Sequence, residues 1–143
     1  IASFVSITGG GRLILRDFCG IATGCRLLTG NDDYLGGCLT GPTIEYPYRI
    51  VQRGSIEIDK HAIIGANSVI FPNVTIGTGT IVGANSLVKS NLEEWTIYAG
   101  SPVRKIKERR RERILELEES YLKRCFDSNG NYIERRLRER KSC

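Results

Sequence analysis

The sequence predicts a mainly β fold, a parallel β-helix, on three observations. Branched aliphatic residues recur every six positions at Ile58, Ile64, Ile70, Ile76, Val82 and Val88. Two positions before each anchor stands a second set, Ile56, Ala62, Ser68, Val74, Thr80 and Ser86, mostly small or β-branched. Gly65, Gly77 and Gly83 directly follow their anchors, while Asn67, Asn73, Gly79 and Asn85 fall where a turn needs φ > 0. A spacing of six suits neither a helix nor a half-buried strand. It suits a chain that runs straight, turns and starts again, with one large and one small inward residue per straight piece, the pattern of a hexapeptide β-helix.

The same phase is present upstream. Ile1 and Ile7 fit an early coil, and Leu15, Ile21 and Leu27 are anchors with Leu13, Cys19 and Cys25 as their partners. The stretch SITGGGR shifts the phase by two residues, which places an irregular turn at Gly9 to Gly11. The chain opens in phase with no lead-in, leaving room for a helix or coil before Ile1.

Between about residues 29 and 53 the six-residue phase is lost in TGNDDYLGGCLTGPTIEYPYRIVQR. A long irregular stretch inside a compact solenoid is usually functional, and this one is expected to project from the shaft, with part of one coil in it. After residue 103 the pattern changes again. RKIKERRRERILELEESYLKRC carries Ile106, Ile114, Leu117, Tyr121, Leu122 and Cys125 at helical spacing among alternating charges. The expected organisation is therefore a β-helix over 1–103 and a helical extension over 104–143, with a turn at DSNGN and a second short helix over YIERRLRERK.

Composition narrows the function. Of the 21 Lys and Arg, 14 lie from Arg104 onward, against 8 of the 16 Asp and Glu. The net charge of +5 therefore belongs to the C-terminal segment. Its acidic residues are interleaved and no aromatic platform accompanies the basic ones, which argues against nucleic acid as a partner. No apolar run reaches the roughly 18 to 20 residues of a membrane span. The five cysteines contain no C-x-x-C pair, and one histidine cannot supply a zinc site, so no metal is expected. A reducing, cytoplasmic setting follows from unpaired cysteines.

IGANSVIFPNVTIGTGTIVGANSLV followed by WTIYAGSPVRKIKER resembles the hexapeptide-repeat acyltransferases, above all the galactoside, maltose and related sugar O-/N-acetyltransferases. The G-S-P-V-R-K-I ending is similar to that family's G-x-P-A-[KR]-x-I, and the resemblance covers about Ile7 to Lys107. It implies a left-handed β-helix, a homotrimer with active sites between subunits, acetyl-CoA as donor, and a sugar or nucleotide-sugar acceptor with a hydroxyl or amino nucleophile. It also implies that the acetyl-CoA arm runs past Ala66 and Ala84, with Lys89 beyond the last full coil, and that Arg104 and Lys107 meet CoA phosphates.

The family's base resembles a loop histidine in a T-G-H-P context. This chain has Thr29, Gly30, Asn31, Asp32 and Asp33 there, and its one histidine is His61. His61 lies three residues past anchor Ile58, as Gly30 lies three past Leu27. If those anchors share one face in consecutive coils, His61 stands about one strand spacing, ~4.8 Å, from the loop's root. His61 would then be the base oriented by Asp32 or Asp33. Either aspartate is itself a candidate base, and Asn31 and Tyr34 are candidate acceptor contacts. The alternative is a non-catalytic β-helix trimer that has kept the shaft and lost the base, since fold alone does not prove transferase activity.

Overall fold

A computed structural model describes residues 1–133. In chain order the elements are β1 (Ser6–Thr8), β2 (Arg12–Leu15), β3 (Gly20–Ile21), β4 (Arg26–Leu28), β5 (Gly30–Asp32), β6 (Val51–Arg53), β7 (Ser55–Ile58), β8 (Ile63–Ile64), β9 (Val69–Ile70), β10 (Val74–Ile76), β11 (Ile81–Val82), β12 (Leu87–Val88), β13 (Thr96–Ala99), β14 (Arg104–Glu108) and α1 (Glu112–Cys125). Two compact units result, Ile1–Arg109 and the segment from Arg110 onward.

The first unit is a left-handed parallel β-helix. Its strands sort into three faces: β1-β4-β9-β12, β2-β7-β10, and β3-β8-β11-β13-β14. Within these faces every pairing is parallel except β13 with β14. Each anchor sits in register with the anchor one coil away. On the first face Ile7, Leu27, Ile70 and Val88 align; on the second, Leu15, Ile58 and Ile76; on the third, Ile21, Ile64, Val82 and Tyr98. Ile58, Ile64, Ile70, Ile76, Val82 and Val88 are completely buried.

The smaller inward residues do a second job. Ser68 Oγ donates to the Gly83 carbonyl at 3.0 Å, Thr80 Oγ1 to Glu93 at 2.6 Å, and Thr96 Oγ1 to Glu94 at 3.0 Å. Ser68, Thr80 and Thr96 are buried, and these turn carbonyls satisfy their hydroxyls.

The corners carry the left-handed residues that the spacing requires. Asn67, Asn73, Asn85 and Gly79 all have φ between 55° and 70°. At the corner between the second and third faces the series is Phe18, His61, Gly79 and Trp95. A left-handed φ costs a bulky L-residue about 1–2 kcal/mol, and here stacking offsets it. Phe18 and His61 stack with ring centroids 5.1 Å apart, and Trp95 lies 6.3 Å from His61. A Cβ on Gly79 would stand 2.4 Å from the Trp95 ring, so only glycine fits beneath it.

Two expectations change. The stretch beginning at Arg104 is not helical at its start: Arg104–Glu108 is an antiparallel strand on β13, and Ile106 is 59% exposed. The turn through Gly100 to Pro102 returns the chain along the edge strand, whose free backbone groups it pairs, and Lys105 bonds Glu93 at 3.0 Å. The first compact unit accordingly runs through this strand to Arg109. Of the long insertion, in turn, only Thr29 belongs to a coil. The second unit holds α1 and a turn in which the Asp127 carboxylate accepts the Asn129 and Asn131 N–H groups at 2.9 Å. The second helix expected over YIERRLRERK lies outside the described residues except for Tyr132 and Ile133.

Ile76→Asp places an unpaired charge in the centre of this stack. The expected result is loss of the cooperative unfolding transition in circular dichroism, whereas Ile76→Val costs only about 0.5–1.5 kcal/mol. An aspartate variant that melts like the wild type would refute the inward assignment.

Candidate active site

The insertion replaces one corner between the first and second faces. Below it the coil is closed by a single residue. Thr29 is buried, its carbonyl accepts the Gly54 N–H at 2.8 Å, and its hydroxyl donates to the Thr8 carbonyl at 2.8 Å while accepting the Gly11 N–H at 3.1 Å. From this root β5 and β6 leave as an antiparallel ribbon, pairing Gly30 with Arg53, Asn31 with Gln52 and Asp32 with Val51.

Asp32 ties the insertion together. Its Oδ1 accepts from Arg49 Nε at 2.8 Å and Nη2 at 2.7 Å, and its Oδ2 from the Gly41 N–H at 3.3 Å. The two side chains are only 23% and 22% exposed, a paired geometry that suits a partly desolvated carboxylate. Asp33 faces its own loop instead. Its carboxylate accepts the N–H groups of Leu35 at 2.8 Å, Cys38 at 3.0 Å and also Gly37. The Leu35 N–H, first among these donors, holds the Asp33 carboxyl below its ordinary value. Tyr34 donates its hydroxyl to Asn31 Oδ1 at 3.3 Å. Asn31, Asp32, Tyr34, Thr40, Arg49 and Val51 line an open cleft of about 530 Å³ whose floor is Thr8, Gly9, Leu28 and Gly30.

His61 is not beside this cleft. Its corner joins the second and third faces, because Ile58 pairs with Leu15 and Ile76, whereas Leu27 pairs with Ile7 and Ile70. The two anchors share a phase but not a face, so the expected contact with Asn31, Asp32 or Asp33 is absent in this chain. His61 is buried in the Phe18 and Trp95 stack, and its carbonyl accepts Arg109 Nη1 at 2.9 Å.

The residues expected near the donor divide. Ala66 and Ala84 occupy successive levels of one corner, the Asn85 N–H donating to the Ala66 carbonyl at 2.8 Å. Gly100 continues that column, since Val82 pairs with Tyr98 and the Leu87 N–H meets the Gly100 carbonyl at 3.0 Å. Arg104 is exposed opposite Ala99, close to this column. Lys107 lies opposite Ile97, further along β14. Lys89 belongs to another corner, its Nζ 5.9 Å from the Phe71 ring. Arg49 and Thr40 had no distinguishing pattern in the sequence; a basic residue in a loop opening with two aspartates was the one available signal for Arg49.

No protein-family model matches the chain. A curated Escherichia coli protein named dTDP-4-amino-4,6-dideoxy-D-glucose acyltransferase is 32% identical over 129 residues, 90% of this chain and 67% of that protein. The chain belongs to the hexapeptide-repeat acyltransferases. Within that family, AntD, an N-acyltransferase from Bacillus cereus, superposes with a TM-score of 0.80 at 45% identity, over 85% of this chain and 65% of AntD, in a complex with dTDP and 3-hydroxybutyryl-CoA. A variant of AntD bound to dTDP-4-amino-4,6-dideoxyglucose and coenzyme A gives 47% identity at the same TM-score, over 85% and 66%. Galactoside acetyltransferase in complex with coenzyme A, at 23% identity and a TM-score of 0.62 over 75% and 50%, shares the fold. The chain thus spans about two thirds of the length of its first relatives.

Asp33→Ala is expected to free the loop without touching the shaft. Limited proteolysis should cut between Tyr34 and Arg49 faster, with the thermal midpoint of the β-helix unchanged. The depressed Asp33 pKa gives the sign with pH. Its contribution is complete above the unfolded value of 3.8 and is lost as pH falls through the lower folded value. Equal cleavage rates in wild type and variant would show that these bonds do not order the loop.

Proposed function

We propose that the protein transfers an acyl group from a coenzyme A thioester, acetyl-CoA in the simplest case, to the amino group of a nucleotide-linked amino sugar. The observation that carries this reading is the 45–47% identity to AntD, whose structures hold coenzyme A or an acyl-CoA together with dTDP or dTDP-4-amino-4,6-dideoxyglucose. The loop cleft with its held carboxylate supports it from the chain's own side.

An amine needs less help than a hydroxyl. The acceptor arrives as an ammonium ion, which Asp32 would bind and deprotonate through Oδ2, the oxygen not engaged by Arg49. The free amine attacks the thioester carbonyl, forming C–N. Collapse of the tetrahedral intermediate breaks C–S, and the second amine proton goes to the departing coenzyme A thiolate. A backbone N–H facing the donor column would serve the developing oxyanion. On this reading Asp32 is the base, Asn31 and Tyr34 meet the acceptor, and Asp33 shapes the loop. The absence of a loop histidine is then no defect. Ala66 and Ala84, with Gly100, admit the pantetheine arm, and Arg104 takes a phosphate of coenzyme A, with Lys107 and Lys89 as outlying cations. His61 would support its corner instead of the chemistry.

The assembly proposed is a homotrimer. Outward on the third face Ile63, Ile81 and Ile97 align in register, and Ile63 is 42% exposed. Such a ladder of isoleucines suits burial against a second copy. A reducing, cytoplasmic setting agrees with the free thiols of Cys19, Cys25 and Cys38. No helix among those residues is long and apolar enough to cross a membrane.

Acyl transfer from acetyl-CoA to dTDP-4-amino-4,6-dideoxyglucose, followed by free-thiol release, tests the reading. Asp32→Asn should lower kcat/KM by about 10²- to 10⁴-fold with the fold retained, and Arg104→Glu should raise KM for acetyl-CoA. A wild type that releases no thiol with this acceptor would overturn the proposal. Sedimentation equilibrium should give a trimer that Ile63→Asp dissociates.

A further inference from the structure

The ribbon at the root of the insertion presents two opposite charges on one face. Residues directly opposite in an antiparallel pair project to the same side, as do residues two apart along a strand. Gly30 opposes Arg53 and Asp32 opposes Val51, so Asp32 and Arg53 share a face as diagonal neighbours, about 7–8 Å apart. Between them stands Gly30, with no side chain. Beneath Gly30 lies Gly9, packed so closely that a Cβ on Gly9 would stand 2.1 Å from the Gly30 nitrogen. The floor between the two charges is therefore bare backbone. Arg53 reaches over the next residue, its Nε 3.2 Å from where a Cβ on Gly10 would stand.

The two charges differ in how they are satisfied. Asp32 is held by Arg49. Arg53 is exposed and, among the described residues, its guanidinium has no carboxylate or hydrogen-bonding partner. A guanidinium with its fork of donors unused, beside a glycine turn, is suited to a phosphate.

We infer that this ribbon face recognises a zwitterionic acceptor, with its ammonium at Asp32 and its sugar-linked phosphate at Arg53. The inference rests on the acyl-transfer reading for the ammonium end and adds the anionic end. In a 4-amino hexose 1-phosphate the nitrogen and phosphorus stand across one pyranose ring, about 6–7 Å apart by standard bond lengths. That separation is of the same order as the spacing of diagonal neighbours on the ribbon, with the ring lying over Gly30 and Gly9. The subsite selects nucleotide-linked amino sugars over free ones, because only the former carry the phosphate.

Titration calorimetry with dTDP alone, on the wild type, Arg53→Gln and Arg53→Lys, tests the phosphate subsite without turnover. Binding should weaken about 10- to 100-fold in Arg53→Gln, recover in part in Arg53→Lys, and fall with rising salt in the wild type. In the acylation assay Arg53→Gln should lose the preference for dTDP-4-amino-4,6-dideoxyglucose over the methyl glycoside of the same amino sugar, with turnover of the glycoside kept. Equal dTDP affinity in wild type and Arg53→Gln overturns the subsite, even if acyl transfer proceeds. Arg53-dependent dTDP binding by a wild type that acylates neither sugar supports the phosphate subsite and refutes the acyl-transfer reading. A wild type that acylates the methyl glycoside as well as the nucleotide sugar refutes the role in selection.

Discussion

Hydrogen bonds between successive coils dictate where every side chain of the shaft stands. The Gly65 N–H meets the Val82 carbonyl, the Phe71 N–H meets that of Val88, and the Asp59 N–H meets that of Ile76, each at 2.7–2.9 Å. Because these bonds fix one coil directly over the next, an inward residue must pack on its equivalent a full turn away. Its volume is constrained from above and below as well as from across the prism. The left-handed corners, the alternation of large and small inward residues and the buried hydroxyls all follow from that stacking. So does the position of the site, since an insertion can leave the shaft only at a corner.

The shaft was legible in the sequence because its constraint is local and repeated. Ile64, Ile70 and Ile76 each report the same requirement, and the asparagines between them report the corners. What the six-residue phase does not encode is which of three faces an anchor occupies once an insertion intervenes. His61 and Gly30 have the same offset from their anchors, yet Ile58 and Leu27 belong to different faces. The strand Arg104–Glu108 was hidden for a different reason. Its partner is the edge of β13, and nothing in the alternating charges of RKIKE distinguishes an edge strand from the first turn of an exposed helix. Asp32 was legible as a candidate from its place in TGNDD. Its clamp was not, because Arg49 lies 17 residues away in an aperiodic stretch.

On the function proposed, the chain joins a rigid donor side to a separately built acceptor side. Ala66, Ala84 and Gly100 are held by the coil ladder itself, which would give an extended ligand arm a straight and inflexible wall. Asn31, Asp32 and Tyr34 depend on the insertion and on the bonds that Asp32 and Asp33 make inside it. The aspartates have different work despite their adjacency. Asp33 spends its oxygens on backbone N–H groups, whereas Asp32 leaves one oxygen with a single long backbone contact. Neighbouring carboxylates are set to different tasks here by which donors surround them.

The closure at Thr29 has a consequence for how such a protein can change. One residue bonds Gly54, Thr8 and Gly11, so the coil beneath the insertion is complete without any contribution from residues 31–52. Lengthening a flexible loop costs only about 0.6 kcal/mol per doubling. Insertions of other lengths and compositions could therefore be exchanged at this corner while the shaft keeps its register and the column of Ala66, Ala84 and Gly100 its shape. Descent with new acceptors would then proceed by replacing a module at a sutured joint, under selection almost independent of that acting on the core.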